Sequence, residues 1–191
     1  MPDLNFNKDG FSPINKVRMQ VREGYIPAAV LVLIFERRGE HWIVLTRRTL
    51  NVRHHKGEIS FPGGRMDKSD VDLLKTAIRE TFEEIGIEVK KEDVFGQLKD
   101  SPTTTGYIIR PFLASLEYPY DPTPSSNEVS EILEMPFRAL GDYTKIRDEA
   151  RVIHNKVKSS HNYVFDGHVV HGATARILTD LFQMVGSLSD H

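Results

Sequence analysis

The chain of 191 residues contains no cysteine, a single tryptophan and no long hydrophobic run. Without cysteine it can form no disulfide, no thiolate metal site and no cysteine nucleophile, which fits a reducing compartment and favours a cytoplasmic location. The longest apolar run, AAVLVLIF at 28–35, is far shorter than the ~20 residues that span a bilayer. The first ten residues lack the pattern of a signal peptide. We therefore expect a cytoplasmic protein with no membrane partner.

Positive and negative charges are also nearly balanced. Lysine and arginine number 25 and aspartate and glutamate 27, so the formal net charge is −2. Nucleic-acid binding usually depends on a basic surface, so nucleic acid is not an expected partner. Hydrophobic residues make up 39% and charged residues 27% of the chain, which is typical of a globular domain.

Strand-like and helix-like segments alternate over the length of one domain. IPAAVLVLIF at 26–35 is continuous and β-branched, which predicts a strand buried on both faces. HWIVLTRR at 41–48 predicts the returning strand, NYVFDGHVV at 162–170 a further single strand, and ATARILTDLFQMV at 173–185 a closing helix. This order predicts an α+β sandwich. We expect an N-terminal lead-in of residues 1–26 that packs on a single domain of residues 27–191.

A further helix is predicted before Gly86, with Ser69 or Asp70 as its N-cap. Its apolar residues recur at helical spacing and predict one buried stripe. The members of this stripe are Leu73, Leu74, Ala77, Ile78, Phe82 and Ile85. Residues 51–70, which carry glycine, proline and charge, are predicted to be mainly loop.

Three glutamates lie within five positions of the segment RETFEEIG at 79–86. On a helix Glu80, Glu83 and Glu84 lie within one arc, because they are three and four residues apart. We expect this arc to point away from the apolar stripe. Crowded carboxylates need a compensating positive charge, which an arginine such as Arg79 or a hard divalent cation can supply. A solvent-exposed charged face is the alternative that the three glutamates alone would favour.

The segment GGRMDKSDVDLLKTAIRETFEEIGI resembles the Nudix box, which reads Gly, five residues, Glu, seven residues and Arg-Glu-apolar-x-Glu-Glu-x-Gly-apolar. Its second half matches at Arg79, Glu80, Glu83, Glu84, Gly86 and Ile87. Thr81 stands at a normally apolar position, Asp70 replaces the first glutamate, and the spacing from Gly64 to Arg79 is one residue longer than the pattern. The resemblance implies a Nudix-like α/β/α sandwich with a mixed β-sheet, in which Asp70 anchors Arg79.

The resemblance further implies a metal-dependent enzyme that hydrolyses a nucleoside diphosphate linked to another group. Mg²⁺ or Mn²⁺ would be held by Glu80, Glu83, Glu84 and the backbone carbonyl of Gly64. Arg79 would belong to the catalytic apparatus. The proton acceptor would be Glu83 or Glu84, and Glu128 from a distal loop is a second candidate.

The segment LTRRTLNVRHHKGEISFPGG at 45–64 resembles the signature that precedes the box in the coenzyme A diphosphatase branch. Matches occur at Leu45, Thr46, Arg48, Arg53, Gly57, Phe61, Pro62, Gly63 and Gly64, and departures at Val44, Thr49 and Leu50. The tail VHGATARIL at 170–178 also resembles that branch. The resemblance implies cleavage of coenzyme A or its acyl esters, which gives 3′,5′-ADP and 4′-phosphopantetheine or its acyl form. The substrate-binding residues would be Arg48, Arg53, Lys56 and Gly63.

Arginine suits phosphate groups, so the basic residues of this segment support a phosphate-rich substrate. A basic surface loop is the alternative reading. Two other functions stay open: hydrolysis of ADP-ribose or a nucleoside diphosphate sugar on the same scaffold, and a catalytically inactive module that binds a nucleotide. The presence of all three box glutamates argues against the inactive module. The resemblance also implies that the protein can form a homodimer. The eight histidines lack the spacing of a helical zinc site.

Overall fold

The computed structural model describes residues 11, 14, 24–50, 56–153 and 156–189. Within these ranges the chain forms two α-helices and eleven strands, with short 3₁₀ turns between some of them. In chain order the elements are β1 (Ile26–Arg37), β2 (Glu40–Arg48), β3 (Ile59–Ser60), β4 (Gly63–Arg65), α1 (Leu73–Ile85), β5 (Val94–Gln97), β6 (Ser101–Pro102), β7 (Tyr107–Ser115), β8 (Val129–Pro136), β9 (Ile146–Ile153), β10 (Lys156–Phe165), β11 (His168–Val170) and α2 (Gly172–Ser189).

Eight strands form one mixed sheet. Its main path runs β3-β2-β1-β7-β5, while β4 pairs with β1, β6 with β7 and β8 with β2. The pairing of β1 with β7 is parallel and the other pairings are antiparallel. A second, antiparallel sheet has the order β11-β10-β9. The mixed sheet thus agrees with the predicted architecture.

Strand β1 lies at the centre of the sheet and is covered on both faces. Its odd-numbered residues from Ala29 to Phe35 belong to the apolar cluster that contains α1. Its even-numbered residues from Val30 to Ile34 belong to the cluster that contains α2. Because successive side chains of a strand point to opposite faces, a strand buried on both sides needs a continuous apolar sequence. The predicted buried strand and the α/β/α sandwich are therefore confirmed.

Helix α1 begins after Asp72, whose Oδ1 accepts a hydrogen bond from the Lys75 amide at 2.8 Å. The prediction of Ser69 or Asp70 as the N-cap is therefore wrong, because the Asp70 carboxylate binds Arg79 instead. The predicted C-terminal glycine is confirmed. Gly86 has a left-handed φ of 71°, and its amide donates to the Phe82 carbonyl.

The buried face of α1 differs from the predicted stripe. Phe82 is 50% exposed, whereas the neighbouring Thr81 is fully buried and donates its hydroxyl hydrogen to the Ala77 carbonyl. The helix packs on both β1 and β4, and this wider contact turns Thr81 and Glu84 inward. The inclusion of Phe82 in the stripe was wrong, and the prediction that the glutamate arc points away from the core fails at Glu84.

Two predicted segments contain strand pairings that the sequence pattern did not indicate. The predicted loop of residues 51–70 includes β3 and β4, and its residues 51–55 lie outside the described residues. The predicted single strand at 162–170 is a hairpin, because Asp166 and Gly167 form a turn with positive φ between β10 and β11. Strands of two or three residues are too short to show a hydrophobic period.

Helix α2 covers the other face of the sheet through Ala175, Leu178 and Leu181. Neither α1 nor α2, nor any other helix of the described ranges, is both long enough and apolar enough to cross a membrane. The cytoplasmic location and the homodimer stay predictions.

Two residues of the N-terminal segment pack on the domain. Phe11 is buried and lies edge-on to Phe95, with ring centroids 5.4 Å apart. A Cβ at Gly96 would lie 2.6 Å from Phe11 Cβ, so this close contact requires a glycine. Ile14 packs against the apolar cluster of α1. The boundary between residues 26 and 27 stays a prediction.

Candidate active site

A buried ion pair fixes the loop before α1 to the helix. Arg79 donates from Nε to Asp70 Oδ1 at 3.0 Å and from Nη2 to Asp70 Oδ2 at 2.8 Å. Asp70 also accepts hydrogen bonds from the Thr76 hydroxyl and the Asp67 amide. The Arg79 guanidinium holds the pKa of the Asp70 carboxyl well below its usual range. Asp70 therefore occupies the anchoring position that the resemblance implied.

The remaining edge of the same guanidinium binds two box glutamates. Arg79 Nη1 lies 2.8 Å from Glu80 Oε1 and 2.9 Å from Glu83 Oε2. One arginine thus contacts three carboxylates, and hydrogen bonds to Asp70 and Glu80 raise its own pKa. The Glu83 side chain is 55% exposed, so it is the box carboxylate with the most open surroundings. Burial raises the pKa of Glu80, and the adjacent Arg79 opposes this rise.

Glu84 lies inside the protein, with its side chain only 4% exposed. Its Oε2 accepts the Gly63 amide at 3.1 Å, and its Oε1 lies 3.2 Å from Arg48 Nη1. Burial raises the pKa of Glu84 to about 7 although both of these partners lower it. The negative charges of Glu80 and Glu128 raise it further. The sequence did not predict the Arg48–Glu84 pair, whose members are 36 residues apart.

The two glycines of β4 permit close approach of three elements. A Cβ at Gly63 would lie 2.3 Å from the Ala29 carbonyl oxygen of β1, and Gly63 has a φ of 151° that side chains rarely adopt. A Cβ at Gly64 would lie 2.5 Å from the Glu80 carboxyl carbon. The glycine pair therefore lets β4 approach both its neighbour β1 and helix α1, and it leaves room for a carboxylate against the backbone.

The carboxylates are neutralised by arginines rather than arranged around one point. Among the described residues, no group of three or more histidine, aspartate or glutamate side chains is arranged to hold a metal ion. The donor set nevertheless suits a hard divalent cation. Glu80 and Glu84 are carboxylate oxygen donors whose pKa values are raised by burial, and a glycine leaves space beside Glu80. These residues fit Mg²⁺ or Mn²⁺ once the arginine contacts are exchanged.

Two of the other predicted site residues, Glu128 and Lys56, lie within the described ranges. Glu128 is exposed, and its carbonyl accepts the Thr49 amide at 2.9 Å, which places the end of β2 beside the loop that carries Glu128. Lys56 is exposed in the turn before β3. Arg53 lies outside the described residues.

Arg47 forms a contact that sequence reasoning missed. Its Nη2 lies 2.6 Å from His168 Nδ1, and its Nη1 lies 3.3 Å from Glu131. The contact ties β2 to β11, the short strand before α2. Alternation along β2 could have indicated that Arg47 and Arg48 point to opposite sides.

Comparisons with known proteins identify the family of the chain. The NUDIX domain family model matches residues 25–156. The protein named uncharacterized Nudix hydrolase NudL of Cronobacter sakazakii is 34% identical over 164 residues, which cover 83% of this chain and 82% of that protein. The protein of the same name from Escherichia coli is 33% identical over the same shares of the two chains.

A solved structure shows the same fold. The MutT/nudix family protein of Enterococcus faecalis superposes with a TM-score of 0.62 at 14% identity, over 90% of this chain and 66% of that one. The family match covers β1, β2, β4 and α1, which carry the acidic cluster and its arginines. The chain therefore belongs to the NUDIX domain family and is a hydrolase that acts on pyrophosphate bonds.

Proposed function

We propose that this protein hydrolyses the diphosphate bond of coenzyme A or acyl-coenzyme A and needs Mg²⁺ or Mn²⁺ to do so. The products are 3′,5′-ADP and 4′-phosphopantetheine or its acyl form. The proposal joins the family assignment to the resemblance of residues 45–64 to the coenzyme A diphosphatase signature.

The observation that carries the proposal is that this signature meets the box glutamates. Arg48 and Gly63, both signature residues, contact the same Glu84 carboxylate at 3.2 and 3.1 Å. A segment that recognises a phosphate-rich substrate has to lie beside the groups that cleave its diphosphate. The side chain of Arg48 is 25% exposed, so it borders both the acidic cluster and the solvent.

The residues that would hold the cation are Glu80, Glu83, Glu84 and the carbonyl of Gly64. When bound, the cation neutralises phosphate oxygens, polarises phosphorus and makes an attacking water more acidic. Arg79 keeps Glu80 and Glu83 on one side of α1 through its anchor on Asp70. This scaffold positions the acidic groups, and phosphoryl transfer depends mainly on such positioning and charge stabilisation.

The acceptor of the water proton must have an oxygen that can approach the water. Both Glu84 oxygens already have partners, and its side chain is buried. Glu83 and Glu128 are exposed and are therefore better placed than Glu84 for this role.

Substrate choice depends on groups beyond the diphosphate. Coenzyme A carries a 3′-phosphate that ADP-ribose lacks. Arg48, Lys56 and Arg53 of the signature segment supply positive charge for this additional anion. ADP-ribose and nucleoside diphosphate sugars remain the competing substrates, because the box itself handles only the diphosphate.

The test is a substrate panel of coenzyme A, its 3′-dephospho form and ADP-ribose, with Mg²⁺, Mn²⁺ or EDTA, and with products identified by mass. We expect coenzyme A to be cleaved to 3′,5′-ADP at least about 10-fold faster than either analogue, as loss of an ion-paired contact predicts. EDTA should stop the reaction. Preference for an analogue would overturn the substrate assignment, and binding without turnover would indicate an inactive module.

The matched control for this panel is Glu80→Gln. It removes one acidic donor while keeping the side-chain shape, so activity should fall by more than the roughly 10- to 100-fold that loss of a supporting residue costs. Unchanged turnover in this variant would show that the activity comes from a contaminant or from a different site.

A further inference from the structure

The two arginines of the acidic cluster are held very differently. Arg79 binds Asp70 through two hydrogen bonds of 2.8 and 3.0 Å. Arg48 reaches Glu84 through one contact of 3.2 Å, which is long for a charge-assisted hydrogen bond. Its Nε is buried and has no hydrogen-bond partner among the described residues, and the same holds for the Nε of Arg47. The single long contact to Glu84 therefore distinguishes Arg48, and it holds this arginine less firmly than the paired contacts hold Arg79.

We infer that Arg48 occupies, on the Glu84 carboxylate, the place that a divalent cation takes, and that cation binding releases its guanidinium toward the anionic substrate. Arg48 and the cation then compete for the same Glu84 carboxylate. The second half of this inference rests on the proposed function, whereas the competition itself does not depend on the substrate.

The position of Arg48 in the fold allows such a release. It is the last residue of β2, where the pairing with β8 shifts register between Arg47 and Arg48. A bulge at a strand end re-aims a side chain and interrupts the ladder. Arg79, in contrast, projects from the middle of α1 and is fixed by the buried Asp70. Release of Arg48 therefore requires only local movement at the edge of the site.

The competition has a reciprocal consequence. If the cation displaces Arg48 from Glu84, the released Arg48 can bind a phosphate group, so cation binding raises the affinity for phosphate. By linkage, phosphate binding then raises the affinity for the cation by the same factor. Metal and anionic substrate are thereby coupled through one side chain. A site that works this way binds the metal weakly until its substrate arrives.

Arg47 provides a matched control. It neighbours Arg48 and carries the same charge, but within the described part of the chain its guanidinium contacts His168 and Glu131. Replacement of either arginine by methionine removes one positive charge and keeps an unbranched side chain. Only Arg48→Met also frees a Glu84 oxygen. A difference between the two variants therefore reports the contact and not the net charge.

The experiment measures Mn²⁺ binding without substrate, from the electron paramagnetic resonance signal of free Mn²⁺. We expect Arg48→Met to bind Mn²⁺ about 5-fold more tightly than the wild type, as the loss of one partly exposed competing ion pair predicts. Arg47→Met should lie within about 2-fold of the wild type, because a more distant charge is screened. Equal effects of the two variants, or weaker binding by Arg48→Met, would overturn the inference.

A second measurement uses the wild-type protein, so it does not depend on the folding of a variant. The side-chain Nε–H signals of Arg47 and Arg48 are assigned with lysine variants and followed by nuclear magnetic resonance during a Mg²⁺ titration. The Arg48 signal should shift along the Mg²⁺ binding curve, whereas the Arg47 signal should stay in place. An Arg48 signal that is unchanged at saturating Mg²⁺ would overturn the inference, whatever the substrate panel shows.

Discussion

The Glu84→Gln substitution should stabilise the metal-free protein at alkaline pH. Glutamine keeps the size of the side chain and an oxygen that can accept the Gly63 amide, but it carries no charge. It therefore imitates the protonated form of Glu84. Most substitutions destabilise a protein, so a gain in stability from loss of a site carboxylate would be a distinctive result.

The raised pKa of Glu84 determines at which pH the variant is more stable than the wild type. Burial raises the pKa of Glu84 from its ordinary value of 4.5 to about 7. A carboxyl group with a raised pKa contributes fully to stability below the unfolded value of 4.5, and this contribution is lost as the pH rises through about 7. Wild type and Glu84→Gln should therefore differ little near pH 4.5 and most at pH 8 and above.

The free-energy cost of ionising Glu84 in the folded state follows from its ordinary and its raised pKa. Each pH unit between them corresponds to about 1.4 kcal/mol, so ionisation of Glu84 costs the metal-free fold about 3 kcal/mol. The side chain is only 4% exposed, so solvent screening reduces this figure little. For a chain of this length such a gain raises the melting temperature by about 6–12 °C.

The assay is thermal unfolding at pH 5 and pH 8 in EDTA, repeated with excess Mg²⁺. Glu83→Gln is the control, because its side chain is 55% exposed and its removal relieves little burial. Mg²⁺ should stabilise the wild type more than Glu84→Gln if, as proposed, Glu84 is a ligand of the cation in the folded state. A Glu84→Gln variant that is no more stable than the wild type at pH 8, or that has the same advantage at pH 5, would contradict a burial-raised pKa of Glu84.

Two further substitutions test the scaffold around the glutamates. Asp70→Asn should destabilise the fold by about 3 kcal/mol in chemical denaturation and lower kcat, because it leaves the partly buried Arg79 without its charged partner; an unchanged unfolding midpoint would show that the pair is dispensable. Gly64→Ala should weaken Mn²⁺ binding and lower kcat/KM at least about 10-fold, because its Cβ would meet the Glu80 carboxyl carbon at 2.5 Å. Gly186→Ala in α2, where a Cβ would meet no described atom within 4 Å, should change neither quantity.

Local patterns in the chain were sufficient for the architecture and for the identity of the acidic residues. The unbroken apolar run of β1 indicates a strand covered on both faces, and the three- and four-residue spacing of the glutamates indicates a helix. The box motif also indicated that Asp70 serves Arg79. These features depend on neighbours in sequence or on a short motif, so they can be read without coordinates.

Long-range packing determines which side chains of α1 are buried and which are exposed. Spacing alone placed Glu84 beside Glu80 on an exposed arc, but the packing of α1 against both β1 and β4 buries it. Phe82 is exposed for the same reason, because the buried face is set by what packs on the helix and not by hydrophobicity alone.

Which residues carry charge, and which motif they form, follows from the order of the amino acids. Tertiary structure alone decided that Arg48, 36 residues before Glu84, lies against its carboxylate. The physical reason is that the electrostatic environment of a group depends on burial and on charges within a few ångströms, and chain separation contains no information about either.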